Sequence, residues 1–547
     1  MPGAPRRCAG TSRCRSTRRS LSPLPAKAAA SRGRNPYPRP SGPEDRSESV
    51  QTLPAALRHW ARQTPDRVVL RHGTEHLTYA ELDASVDRVA ASLAARGAGK
   101  GDRVVLIGLN SMAWITAYLA CLRLGIVVAP ANNRLSPSQL SDQCDRLEAR
   151  AVLHDAAHAD LVREVPRPGR AVIELGDLVR TAQGGESTVP DVPVPQDIAL
   201  ISFTSGTTGA PKGAVLSHEA LYKGALAVAE FHGSTQDDST LILVPVFHNT
   251  GFNDQFGHML VAGGCTHLLT KYRTGDAIAE LRERPVTFLA AVPSILRMLM
   301  MSDEAEHIYG PAAKLFFGGS PMPAAWIDEL LGRWPHLRLT HAYGLSEFTS
   351  ICSFLPHELV ASKGESVGLP APRVQLKVVD DQGREQPPGQ PGEVWVAGPT
   401  RMTGYWRQPA LTEQKFRGQW LRTGDLGHLD GDGLLWLTGR VDDVINRGGE
   451  KVLPSYVESC IAQRPDVGQV VVFGIEDPVL QQRVAAAVEP RPDSVFNEHA
   501  ARNHLAARLP DYAVPERWVI YEKLPLTASG KVDRREVARQ FPDSTEG

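Results

Sequence analysis

Between Arg103 and Ala290 the chain repeats one texture, in which short Val/Ile/Leu runs alternate with stretches of about 10–20 residues whose apolar side chains fall at helical spacing. Strands that alternate with helices run parallel, because each crossover helix returns the chain to the same edge of the sheet. Such strands are covered on both faces and read as unbroken apolar runs rather than as alternation. Arg103–Gly108 and Ala199–Phe203 are runs of this kind. Upstream, Leu77-Thr-Tyr-Ala-Glu-Leu82 carries a helix start, with Thr78 as N-cap, Glu81 three residues on, and apolar spacing that continues to Leu93. The longest apolar run, near Trp114–Pro130, is interrupted by Arg123. A spanning helix needs about 20 mostly apolar residues, so this run predicts a core helix, Gly125 and a buried strand, with no transmembrane segment.

From about Ser366 to Leu437 the texture changes to short strand-like segments, Val374–Val379, Gly392–Val396 and Gly433–Leu437, with Gly/Pro/Asp turns between them. After Gly439 comes a small α+β region: a helix from about Ser455, then strands Val470–Gly474, Val484–Val488 and Trp518–Tyr521. The expected fold class is α/β. A large N-terminal domain of helix-covered, mostly parallel sheets carries a β-rich subdomain, and a small mobile α+β domain follows it. A chain of 547 residues exceeds what one core serves. The expected division is a basic tail over 1–48, a large domain over 49–438 and a small domain over 439–547, with the break near Arg440–Asp443.

The first forty residues hold many arginines, no acid and no apolar h-region. That composition fits a disordered tail or an over-extended translation start, and it also matches a transit peptide. A net charge of −1 exerts no global pull on nucleic acid or an anionic membrane. The seven cysteines are widely spread and show no metal-ligand spacing, which points to buried thiols and a reducing cytoplasm.

The chemistry concentrates in Thr204-Ser-Gly-Thr-Thr-Gly-Ala-Pro-Lys-Gly213. Glycines let backbone N–H groups approach anionic oxygens, and the hydroxyls of Thr204, Ser205, Thr207 and Thr208 add donors around Gly206. Lys212 neutralises phosphate charge. The spacing is not that of a Walker-type phosphate loop.

This run resembles the signature loop of the adenylate-forming superfamily, which includes acyl-CoA synthetases, stand-alone adenylation domains and beetle luciferases. Other motifs follow in the family's order: Tyr343-Gly-Leu-Ser-Glu347, with Ser346 in the usual Thr place; Gly392-Glu393 through Gly404-Tyr405; Arg422-Thr-Gly-Asp425; Gly439-Arg-Val-Asp-Asp443 with Asn446-Arg-Gly-Gly-Glu-Lys451; and Pro525-Leu-Thr-Ala-Ser-Gly-Lys-Val-Asp-Arg534. The resemblance spans roughly Leu53 to Arg534.

It implies ATP-dependent activation of a small-molecule carboxylic acid as acyl-AMP, then transfer to the thiol of coenzyme A or to the pantetheine of a separate carrier protein. Stabilising the charge that builds on the attacked phosphoryl group is the main catalytic demand. The resemblance assigns that task to Lys531, makes Glu347 the Mg²⁺ ligand, and makes Asp425 the acceptor for the ribose hydroxyls. Gly318-Gly319-Ser320 would lie along adenine or form a tight structural turn. Tyr343, beside Gly344, either stacks on adenine or belongs to the core. Arg440 is expected to contact phosphate or ribose, Asp442 to be the hinge, and Gly448-Gly449 to pass a pantetheine arm. His248 suits a gate near the carboxylate, and His248-Asn249 also suits an aryl-acid pocket. Asp254 either meets a substrate amine, or faces solvent or caps a helix. A luciferase-like oxidoreductase and a non-catalytic nucleotide binder share the fold and are the remaining alternatives.

Overall fold

The computed structural model describes residues 51–165, 169–182, 193–204, 211–448, 450–526 and 532–541. The basic stretch 1–48 lies outside the described residues.

The expected helix start is present: the Thr78 hydroxyl accepts from the Glu81 N–H, while the Thr78 N–H donates to Glu81 Oε2 at 2.8 Å, opening the helix Tyr79–Ala95. The apolar run folds as the helix Met112–Arg123 followed by the strand Val127–Pro130. Arg123 is tolerated there because its partners come from another helix. Fully buried, it meets Asp83 at 2.5 Å and Asp87 at 2.8 Å, and Arg58 reaches the same Asp87 at 2.9 Å. A buried guanidinium is stable only with such company. No helix among the described residues is long and apolar enough to cross a membrane.

Two sheets with parallel centres form the body. A seven-stranded sheet among the described residues has the order Gly404–Tyr405, Lys212–Ser217, Ile198–Thr204, Val127–Pro130, Arg103–Ile107, Ala151–His154, Ala171–Glu174. Its strands from Ile198–Thr204 onward are parallel. In a nine-stranded sheet, Arg338–Leu345, Lys314–Gly318, Phe288–Ala291, Ser239–Ile242, Cys265–Leu268 and Val68–His72 run parallel. Antiparallel strands flank both ends of that run.

The β-rich region is an antiparallel five-stranded sheet built on Gln375–Val379, Gly392–Ala397, Trp420–Leu429, Phe416–Arg417 and Leu435–Arg440. The last strand starts later than its sequence suggests, because Gly433 closes a turn onto the Asp430 carbonyl at 3.0 Å. Residues after 444 form a separate five-stranded sheet that includes Val467–Asp477, Gln481–Pro490 and Arg517–Ile520. It has its own core, in which Val457, Ile461, Val472, Val484 and Leu505 pack together.

Open α/β sheets bind ligands beyond the carboxyl ends of their parallel strands. Thr204, Gly318 and Leu345 all stand at such ends, so the topology gathers motifs that are far apart in the chain.

Candidate active site

The Arg422-Thr-Gly-Asp425 stretch bends inside a hairpin. Gly424 has φ +79°, a left-handed conformation that favours glycine. Thr423 donates to the Val394 carbonyl at 2.7 Å and accepts the Asp425 N–H at 3.0 Å, so this bulge in the strand Trp420–Leu429 is tied to the neighbouring strand. Register then sets Arg440 opposite Asp425, with Arg440 Nε 3.2 Å from Asp425 Oδ1. The second carboxylate oxygen accepts the Tyr343 hydroxyl at 2.5 Å, across from the nine-stranded sheet. Burial pushes the Asp425 carboxyl above its ordinary range, while Arg440, Tyr343 and Lys415 pull it back. Burial and the Asp425 charge keep the Tyr343 phenol protonated. Tyr343 is thus buried and also faces the site.

Glu347 lies in the short turn Ser346–Phe348 that follows Arg338–Leu345. Its Oε1 accepts the Tyr405 hydroxyl at 2.9 Å. Tyr405 pairs with Ala214 on the strand that begins at Lys212, which joins the acidic turn to the other sheet. A single carboxylate fits Mg²⁺, which takes one or two carboxylates and completes its shell with phosphate oxygens and water. Among the described residues no group of three His, Cys, Asp or Glu side chains forms an all-protein metal cage.

Residues Thr250–Gly257 form a π-helical stretch whose side chains from Gly251 onward are buried. Such widened turns recur at functional sites. At its start, Asn249 accepts the Ser202 hydroxyl at 3.2 Å, which joins it to the strand leading into the glycine-rich loop. Burial, reinforced by the charge of Arg134, pushes His248 down to about 4, so its ring is neutral at pH 7. Asp254 is 1% exposed in the middle of this stretch. The solvent-facing alternative for Asp254 is thereby corrected: helix packing turns the carboxylate inward.

Gly318 owes its small size to the sheet itself, since a Cβ there would lie 2.9 Å from the Ala342 carbonyl oxygen on the adjacent strand. Gly319, at φ +81°, turns the chain out, and Ser320 is exposed. Gly344 is exposed at the end of its strand, and Ser346 is half-buried. Asp442 is exposed on the turn Val441–Asp443. Beside it Asp443 pairs with Arg534, which also reaches Glu458 at 2.6 Å. The Gly448 N–H donates to the Leu480 carbonyl at 2.7 Å. Thr204 ends its strand, and Lys212 is half-buried at the start of the next. Ser205, Gly206, Thr207, Thr208, Gly449 and Lys531 lie outside the described residues.

Tyr343, Glu347, Asp425 and Arg440 therefore share one corner. Two further side chains belong to it that sequence reasoning did not single out as site residues. Tyr405 stood inside a quoted motif, so its signal was present. Lys415 had none: its half-buried ammonium donates to the Arg422 carbonyl at 3.3 Å, and burial lowers its pKa against the pull of Glu347.

Residues 57–406 match the family described as AMP-binding enzyme, and residues 456–531 match its C-terminal domain. A feruloyl-CoA synthase from an Amycolatopsis species is 32% identical over 487 residues, covering 88% of this chain and 97% of that protein. A fatty acid–[acyl-carrier-protein] ligase of Streptomyces coeruleorubidus is 30% identical, covering 90% and 97%. The o-succinylbenzoate coenzyme A synthetase of Bacillus subtilis, solved with ATP and magnesium ion, superposes with a TM-score of 0.78 at 26% identity, covering 88% of this chain and 98% of that one. The chain belongs to the AMP-binding enzyme family, as an AMP-forming acid–thiol ligase that activates a carboxylic acid with ATP.

Proposed function

We propose that the Tyr343–Asp425–Arg440 corner receives the ribose of ATP and that Glu347, one turn away, receives Mg²⁺. The observation that carries this reading is the Asp425 carboxylate itself, half-buried and held by Tyr343 at 2.5 Å and Arg440 at 3.2 Å. An ionised carboxylate accepts hydrogen bonds from paired hydroxyls, as a ribose presents them. Bound Mg²⁺ would neutralise phosphate charge beside Glu347.

The substrate carboxylate attacks the α-phosphorus and pyrophosphate leaves. Lys531 and Lys212 supply positive charge to the attacked phosphoryl group. Neutral His248 borders the carboxylate without competing for it as an ion. In the second step the thiol sulfur attacks the acyl carbon and AMP leaves, with Gly448-Gly449 passing the pantetheine arm. Residues 439–547 move as a small domain about Asp442, which separates the two steps in time.

Coenzyme A is the acceptor favoured here. The acyl-carrier-protein ligase aligns over a similar length and supports a carrier's pantetheine as the second reading. Free cysteines at 121, 144, 265, 352 and 460 support a cytoplasmic location. ATP–pyrophosphate exchange against fatty, aryl, α-amino and β-amino acids tests adenylation. Parallel assays with coenzyme A and with a phosphopantetheinylated carrier test the acceptor. Exchange confined to amino acids and lost in Asp254→Asn would assign that buried carboxylate to a substrate amine, whereas exchange with aryl or fatty acids that survives the change would remove it from substrate recognition.

A further inference from the structure

Lys415 is the last residue of the helix Pro409–Lys415, and the chain passes from it directly into Phe416–Arg417, which pairs with Trp420–Leu421. That short tether delivers the lysine to the bulge at Arg422–Asp425. A methyl group placed on Gly424 would lie 3.5 Å from Lys415 Nζ and 3.6 Å from Arg440 Nη2, so the two cations flank the same face of the bulge. The Arg422 carbonyl, at 3.3 Å, takes one of the three ammonium donors.

A lysine without a task would hold its ammonium in water, since withdrawing it costs free energy unless negative charge is close. Here the compensating acids are those of the site: Glu347 first, then Asp442 and Glu393, the last already bound by Arg422 at 2.9 Å.

We propose that Lys415 is a positioning residue for nucleotide binding, its ammonium tying the helix end to the Arg422 carbonyl and standing beside Gly424, next to the Asp425 carboxylate that accepts the ribose. The groups that face Asp425 are Tyr343 from the nine-stranded sheet, Arg440 across the hairpin, Lys415 from its helix, Glu347 from the acidic turn, and the buried Cys352 thiol. Burial and Glu347 disfavour the charged carboxylate. Arg440, Tyr343 and Lys415 favour it. Removing Lys415 leaves two supporters of three.

The proposal rests on the reading of Asp425 as the ribose acceptor, and the test separates the two. The full chain and its Lys415→Met, Lys415→Arg and Asp425→Asn variants are compared by ATP–pyrophosphate exchange from pH 5.5 to 9, with melting curves as the control for folding. Lys415→Met should raise KM for ATP about tenfold at low pH and move the acid limb of kcat/KM for ATP upward by roughly one pH unit, while kcat at saturating ATP changes little. Lys415→Arg should restore the limb. A limb that stays in place in Lys415→Met, while Asp425→Asn raises KM, overturns the role of Lys415. An unchanged KM in Asp425→Asn overturns the ribose reading and the proposal with it. Should Lys415→Met fail to fold, Lys415→Gln takes its place and the same limb decides.

Discussion

The Tyr343 hydroxyl and the Asp425 carboxylate, 82 positions apart in the chain, share a 2.5 Å hydrogen bond that joins the nine-stranded sheet to the antiparallel subdomain. Hydrogen bonds to charged groups contribute about 1.5–3 kcal/mol. Tyr343→Phe should therefore raise KM for ATP by ~10- to 100-fold, with kcat at saturation altered far less. Exchange kinetics at varied ATP check this, and an unchanged KM would remove Tyr343 from the nucleotide site.

The same carboxylate predicts a trade of stability against function. The folded protein holds Asp425 above the ordinary aspartate value. A raised acid binds its proton more tightly folded than unfolded, so its contribution is favourable below about pH 4 and is lost as pH rises through the folded value. Asp425→Asn should melt higher than the parent at pH 8, and the gap should close as pH falls toward 4. A variant less stable at pH 8 would mean that the Arg440 pair outweighs burial.

Buried histidines make the fold acid-sensitive in a defined window. Burial lowers His218, His248 and His267 to about 4 and His258 to about 3. Each is depressed below the unfolded value near 6.5, so its stabilising effect is complete above about pH 6.5 and is lost as the unfolded chain takes up protons between there and 4. His158 works oppositely: Asp155, 2.5 Å away, raises it, and its contribution fades as pH rises through the folded value. Urea midpoints should fall steadily from pH 6.5 to 4, and a flat profile over that range would contradict the neutral assignment of the buried rings.

Arg123 is the ion whose loss should be felt most in stability. Arg123→Met leaves Asp83 and Asp87 with Arg58 alone and should cost about 3–5 kcal/mol. Replacing Arg123, Asp83 and Asp87 together by apolar residues of matching volume should recover much of that loss. Chemical denaturation of the two variants measures the difference, and equal destabilisation by both would show that packing, not stranded charge, is responsible.

Lys531→Ala should reduce adenylation by about 100- to 1,000-fold while sparing thioester formation from supplied acyl-AMP. Gly449→Leu should do the reverse. Single-turnover assays of each half-reaction separate them, and equal loss of both steps in Lys531→Ala would speak against a domain that presents different faces in turn.

Much of this molecule was legible before any tertiary contact. The Thr78–Glu81 capping box, the Met112–Arg123 helix and the run of parallel strands follow from caps and apolar period, which act within a few residues. The ordered motifs likewise named Glu347, Asp425 and Arg440 as site candidates. Tertiary structure alone decided what stands beside them. Lys415 carries no pattern, and only the hairpin register and the helix end bring its ammonium to the Gly424 bulge. Asp254 read equally well as exposed or buried, because a carboxylate in a short polar-apolar stretch has no period that fixes its face; helix packing turned it inward. Local sequence sets which element forms, whereas side chains meet across sheets through contacts whose chain separation no local pattern encodes.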